Sequence, residues 1–225
     1  MIVSYTHQFM FVHIPKAAGS SVRLALQPYA HQTEHLWVNR LLAIMGFHSN
    51  HFGPYQWKRF CAHATTAQVQ RQLPKPIFRN LFKFTFVRNP WDLMVSCYHF
   101  ILQSPGHHRH RRVKALGSFE AYLKYESERD KLSQRDFLFD RHGAPIVDFV
   151  GRFESLNEDF QEVCGILGLD TSLRHTNRSS HKDYRDYYNA RTIELVRETY
   201  REDIELLSYE FDGVAEQNRR IRLAA

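Results

Sequence analysis

The sequence predicts an α/β protein with a central parallel sheet flanked by helices. Three observations predict it. Short apolar runs rich in β-formers alternate with stretches of helical period, the alternation that builds parallel sheets covered on both faces. The two most distinctive motifs, PKAAGSS at 15–21 and RNPWDLMVS at 88–96, each follow a predicted strand directly, and open α/β sheets gather ligands at the carboxyl ends of their strands. The chain has 225 residues with 43% hydrophobic content, enough for one substantial core, so a single domain over 1–225 is expected.

The elements follow in order. QFMFVHI (8–14) is apolar and β-rich and reads as a buried strand. A glycine-containing turn leads to a helix from 20 to about 28, stopped by Pro28. Residues 31–57 are mixed and aromatic and carry no assignable period. KRFCAH (58–63) reads as a second short strand, and TTAQVQRQL (65–73) as a helix with Thr65 or Thr66 as N-cap and Pro74 at its end. LFKFTFV (81–87) is the clearest strand; after it Pro90 suits the first position of a helix running through WDLMVSCYHFILQ. Residues 104–117, with SPGHHRHRRVKALG, read as a basic loop. A helix over 118–128 is capped by Ser118, and PIVDFVGRF (145–153) is another strand. In the helix that follows, Leu156, Phe160, Val163 and Leu167 share one face. Asn189 caps a last long helix with Ile193, Val196, Tyr200, Ile204 and Leu207 inward.

Thirty Lys+Arg against 24 Asp+Glu give a net charge of +6. That balance suits an anionic ligand without choosing among nucleotide, glycan and nucleic acid. Aromatic residues do not interleave with Lys and Arg as on an RNA-binding platform, so nucleic acid is not the expected partner. The three cysteines, Cys61, Cys97 and Cys164, have neither disulfide-framework nor zinc-knuckle spacing and are expected to be buried free thiols. His175 and His181 have no metal-ligand spacing, and no metal site is expected. The N-terminus enters a strand without a leader-like apolar stretch, and no run reaches a membrane span. A cytoplasmic protein without stable membrane insertion is expected, its oligomeric state open.

A helix N-terminus after a strand offers free N–H groups and a partial positive charge to an anion. In 15–21, Gly19 would admit close approach of a phosphate, Ser20 and Ser21 offer hydroxyls, and Lys16 a mobile charge. Ordinary ATP loops place the lysine after the last glycine and follow it with a magnesium-binding Ser or Thr. Here Lys16 precedes Gly19 by three residues, which argues against a P-loop nucleotide or small-molecule kinase. In the second motif, Arg88 ends a strand and Ser96 lies two helical turns on, a suitable pair for a phosphate.

Together, FVHIPKAAGSS (11–21) and FVRNPWDLMVSCYHF (86–100) resemble the 5′-phosphosulfate loop and the 3′-phosphate motif of sulfotransferases that use 3′-phosphoadenosine 5′-phosphosulfate (PAPS). VGRFESLNEDF (150–160) and HKDYRDYY (181–188) are similar to segments of the carbohydrate-type branch, which includes heparan and chondroitin sulfotransferases and bacterial relatives. The resemblance runs from about residue 8 to 211. It implies a P-loop NTPase-like three-layer sandwich, PAPS as donor with PAP (3′-phosphoadenosine 5′-phosphate) as product, no metal, and a carbohydrate-like acceptor, anionic or neutral. By position, Lys16, Ala17, Ala18, Gly19, Ser20 and Ser21 would bind the 5′ end, with Lys16 also catalytic, and Arg88 and Ser96 the 3′-phosphate. Lys182, Tyr184 and Arg185 would close over the nucleotide or form a surface turn. For the base, CAHAT puts His63 where the glycan branch has its catalytic histidine. His99 and Glu154 stand as alternatives, while His13 is expected to pack or orient the first loop. HHRHRR (107–112) reads as a holder of an acidic glycan or a solvated loop. A donor-binding protein without activity is the remaining alternative.

Overall fold

The computed structural model describes residues 1–30, 41, 44, 45, 55, 60–140, 142–173 and 182–215. Four strands form a mixed, mostly parallel sheet in the order β1–β2–β3–β4: β1 (Ile2–Ser4), β2 (Phe9–Val12), β3 (Phe82–Val87) and β4 (Phe149–Arg152). β1 is antiparallel to β2, and β2, β3 and β4 run parallel, with Phe11 opposite Phe84 and Phe84 opposite Phe149. β2 is buried along its whole length, as expected of a strand covered on both faces.

The pleat sorts these apolar runs into two cores. Phe9, Phe11, Phe84 and Phe86 pack with Val22 and Leu26 of α1 (Gly19–Leu26) on one face. Phe160, Val163 and Cys164 of a helix after β4 complete that layer. Met10, Val12, Val87 and Val150 belong to the other core, with Val69 of α2 (Thr66–Gln70), Phe78 of α3 (Lys75–Asn80) and Trp91, Met94 and Val95 of α4 (Pro90–Gln103). α4 begins as its sequence implies: Pro90 occupies the first turn and Asn89 accepts a hydrogen bond from Trp91 N at 3.0 Å. Lys83 is buried within β3, and its ammonium is met by Asp148 at 2.8 Å.

The remaining helices are α5 (His110–Leu116), α6 (Phe119–Ser127), α7 (Leu156–Leu167), α8 (Ala190–Thr199) and α9 (Arg201–Leu207). Ser118 caps α6 and Asn189 caps α8. A short hairpin pairs β5 (Tyr209–Glu210) with β6 (Gly213–Val214). Among the described residues no helix is long and apolar enough to cross a membrane.

Several expectations are corrected. Phe60–His63 forms no strand but a loop and turn, and positions 58 and 59 lie outside the described residues. The edge of β2 away from β3 is taken by β1, and the terminal amine of Met1 donates to Ala62 O at 2.7 Å. The basic stretch 104–117 contains α5, because Val113 is buried, His110 Nδ1 bonds Ile101 O at 2.9 Å and Gly117 ends the turn at φ 73°. The last long helix is two, broken at Tyr200, whose buried hydroxyl points to Met94 Sδ at 3.1 Å. Of the cysteines only Cys164 is buried; Cys97 is half-buried and Cys61 exposed, all three free. The unassigned stretch 31–57 lies outside the described residues apart from positions 41, 44, 45 and 55.

β4 approaches its neighbours closely at Gly151. A Cβ there would stand 2.5 Å from the Phe86 ring and 3.0 Å from Cβ of Asp159. Gly151→Ala is therefore expected to destabilise the fold by about 1–3 kcal/mol, the usual cost of overpacking a core. Gly165, in α7, meets nothing within 4 Å, and Gly165→Ala is expected to stabilise by roughly 0.5–1 kcal/mol as a helix-interior Gly→Ala change. Urea denaturation of both variants checks the contrast.

Candidate functional site

A cavity of about 660 Å³ opens at the carboxyl ends of β2, β3 and β4. The loop after β2 forms one wall. Lys16 and Ala18 both adopt left-handed backbone, at φ 63° and 60°, each at a cost of about 1–2 kcal/mol for a residue with a Cβ. Ala18 O accepts hydrogen bonds from Ser21 N and Val22 N at 3.1 and 3.2 Å, closing the turn into α1. Gly19 and Ser20 open the helix, where amides lack intrahelical acceptors. Lys16 is half-buried; its Nζ lies 4.4 Å from the Phe100 ring centre, and burial lowers its pKa.

Gly19 has a reason that the sequence did not disclose. A Cβ on it would stand 1.8 Å from the His13 ring. His13 thus fills the space beside the loop, stacked on Phe11 at 6.0 Å. Its Nδ1 is buried without a hydrogen-bond partner among the described residues. Burial, aided by the N-terminal amine and His63, lowers its pKa from 6.5 to about 3.

Arg88 and Ser96 supply the second wall, from the β3–α4 junction. Both are buried, at 4% exposure. The Arg88 guanidinium grips Asp92 twice, Nε to Oδ2 at 2.7 Å and Nη2 to Oδ1 at 2.8 Å, and its Nη1 donates to Lys16 O at 3.1 Å. It also stacks on Phe153 at 3.9 Å. Of its five N–H donors, one on each terminal nitrogen is left over among the described residues. The Arg88 peptide is clasped by the Gln134 amide, which accepts from its N and donates to its O, both at 2.8 Å.

His63 lines the cavity and is exposed. Its Nδ1 lies 3.1 Å from His13 O. A carbonyl only accepts, so Nδ1 carries the proton and Nε2 keeps its lone pair. Glu154 also lines the cavity, but its carboxylate is engaged by Asn89 N at 2.7 Å and Tyr209 OH at 3.0 Å, and desolvation raises its pKa. His99 lies apart from the cavity lining, against Tyr98 and Tyr187.

The cavity therefore unites Lys16, Ala18, Gly19, Ser20, Ser21, His63, Arg88 and Ser96; Ala17 is buried beneath the loop. It does not bring in Lys182, Tyr184 or Arg185. Tyr184 donates to Phe211 O, and Arg185 is paired with Asp183 and Asp212 at 3.0 and 3.2 Å. Sequence reasoning missed Cys97, Phe100, Phe153 and Ser155 in the lining, whereas His107 and Arg109, also in it, belong to the HHRHRR stretch read as a holder of an acidic glycan or a solvated loop. Ser96, Cys97, Phe100 and Ile101 have the one-face spacing of a helix, a signal that was present in the sequence. Burial pushes the Cys97 thiol up to about 11, so it stays protonated. His175 and His181 lie outside the described residues, among which no cluster of three or more His, Cys, Asp or Glu suits a metal ion.

The neutral burial of His13 makes stability pH-dependent. The unfolded chain takes up a proton near pH 6.5 that the folded chain refuses until about 3. Stability from this source is complete above pH 6.5 and is lost as pH falls towards 3, with a slope of up to about 1.4 kcal/mol per unit. His13→Phe keeps a ring against Gly19 and Phe11 but cannot titrate, and is expected to flatten the decline. Urea midpoints of both proteins at neutral and mildly acidic pH provide the check.

Comparison with known proteins agrees with this geometry. An uncharacterised protein of Archaeoglobus fulgidus is 29% identical over 119 residues, covering 52% of this chain and 93% of that protein. A sequence profile described as the sulfotransferase family matches residues 1–210, which include the loops after β2 and β3 and the β4–α7 turn. With nearly its whole length matched and the two loops on one cavity, the chain belongs to the sulfotransferase family.

Proposed function

We propose that the protein moves a sulfuryl group from PAPS to a hydroxyl or amine of a carbohydrate-like acceptor. One observation carries this reading: Arg88 hydrogen-bonds the carbonyl of Lys16, joining the two anion-binding loops into one wall of one cavity. A donor with phosphate groups at both ends of its nucleoside suits such a wall. Lys16 and the first amides of α1 would hold the 5′ end, and Arg88 with Ser96 the 3′-phosphate. The left-over N–H groups of Arg88 fit that role, because its other donors and its charge are already fixed by Asp92.

The donor supplies a sulfuryl group whose S–O bond to the 5′-phosphate breaks as a new bond forms to the acceptor, S–O for a hydroxyl and S–N for an amine. The chain's own residues position and neutralise. Lys16 balances charge on the group being transferred. The partial positive charge of α1 adds to it. His63 Nε2 receives the acceptor's proton, while Nδ1–H stays anchored on His13 O. Neutral His13, between His63 and the loop, adds no charge that would compete for the donor.

Arg88→Ala is expected to weaken PAP far more than adenosine 5′-phosphate, by a charge-assisted contact worth roughly 1.5–3 kcal/mol. Calorimetry with the two ligands decides it. Equal losses would make Arg88 a purely structural link between Asp92 and Lys16 O.

His63→Ala is expected to leave PAP affinity nearly unchanged and to slow turnover about 10²–10⁴-fold, the usual contribution of a positioned base. Transfer of labelled sulfuryl group to acceptors found by screening measures it. Near-normal turnover would move the role to Glu154, the other candidate base in the cavity lining.

A further inference from the structure

Arg109 is a third arginine-or-lysine cation on the same cavity, beside Lys16 and Arg88, and belongs to neither donor loop. It comes from the turn between α4 and α5. Its Nη1 donates to Oε1 of Glu126, a buried carboxylate on α6, and its peptide N–H donates to His107 Nδ1 at 3.1 Å. Its Nε is buried without a partner among the described residues. Glu126 also accepts from Arg129 at 2.8 Å, and its carbonyl from Lys131 Nζ. One carboxylate thus faces three cations. Burial lowers the Lys131 pKa; Glu126 works against that shift, and Arg129 and Arg109 add to it.

Its place along α4 separates it from the donor groups. Ser96 stands toward the Arg88 end of the helix. One turn on, Phe100 has the Lys16 ammonium over its ring, and the same ring meets His107 edge-on at 5.8 Å. Phe100 thus links Lys16 on one side to His107 on the other, and His107 Nδ1 accepts from the Arg109 peptide N–H.

We propose that Arg109, held in place by Glu126, reads an anionic substituent of the acceptor, a carboxylate or a sulfate. The inference rests on the sulfuryl-transfer reading of the cavity. There the donor's anions are matched by the loop from Lys16 to Ser21 and by Arg88, which leaves Arg109 for the other substrate. Arg109 is the specificity-determining residue and Glu126 the positioning residue.

The test uses the full chain saturated with PAP. The probes are a hexasaccharide of alternating uronic acid and N-acetylhexosamine, a sulfated form of it, and the same hexasaccharide with its carboxyls reduced to neutral hydroxymethyl groups. The native protein is expected to prefer an acidic probe by about ten-fold or more. Arg109→Gln should abolish that preference, Arg109→Lys should keep part of it, and Glu126→Gln should reduce it. PAP affinity should hold in all of them. Arg71→Gln, on the exposed surface of the α2–α3 connection, should keep the full preference, which separates a specific contact from general attraction to a basic protein. Whichever acidic probe binds better identifies the substituent. Equal binding of acidic and neutral probes to the native protein overturns the proposal, as does a preference that survives in Arg109→Gln. Lost PAP affinity in Arg109→Gln also overturns it, by assigning Arg109 to the donor. No PAP binding by the native protein would instead defeat the sulfuryl-transfer reading. Should Glu126→Gln fail to fold, seen by circular dichroism, the Arg109 variants still decide.

Discussion

The buried guanidinium of Arg88 is the point on which the site is assembled. Its charge is met by both oxygens of Asp92, one turn into α4, and its flat face rests on Phe153, just after β4. Its Nη1 reaches back to the carbonyl of Lys16. A single side chain therefore ties together the ends of β2, β3 and β4. Removing either partner would leave a charge inside the protein, which costs far more than an exposed pair contributes. Arg88 is itself held through its backbone. Gln134 clasps its peptide on both sides, and Asp203 fixes Gln134 and Arg135 by accepting their N–H groups at 2.9 and 2.8 Å. The break between α8 and α9 lies just before Asp203. A change far along the chain is in this way connected to the geometry of the first loop.

That loop stores backbone strain at Lys16 and Ala18. The strain persists because the surroundings over-determine it: Arg88 holds the carbonyl of Lys16, α1 begins on the carbonyl of Ala18, and the His13 ring occupies the space beside Gly19. Strained residues held this way are typical of anion-binding turns, where consecutive N–H groups converge. His13 joins the two halves of the chemistry. Its ring supports the loop, and its carbonyl sets the tautomer of His63.

Much of this was legible in the sequence for local reasons. A short run rich in β-formers such as 81–87 declares a strand, and Pro90 behind Asn89 declares a helix start. Ser118 and Asn189 announce their helices because a cap is a bond between near neighbours. The two loop motifs were legible because each lies within a few residues of a strand end. The break at Tyr200 was not, since the apolar spacing continues through it and only the packing of its ring and hydroxyl ends the helix.

The sequence by itself determined the parallel strands β2, β3 and β4, most of the helices, and the turns that follow β2 and β3. Each depends on periodicity, capping or turn chemistry over a span of about ten residues. The tertiary structure alone decided that the chain's first residues, and not residues 60–63, take the free edge of β2. It decided that Lys182, Tyr184 and Arg185 stand away from the cavity while Arg109 lines it, and that Gly19 is small for the sake of a histidine ring. The reason is the same in each case. Strand edges, ion pairs and close contacts are satisfied by whichever group folding brings within a few ångströms, and these partners lie up to 72 positions apart along the chain.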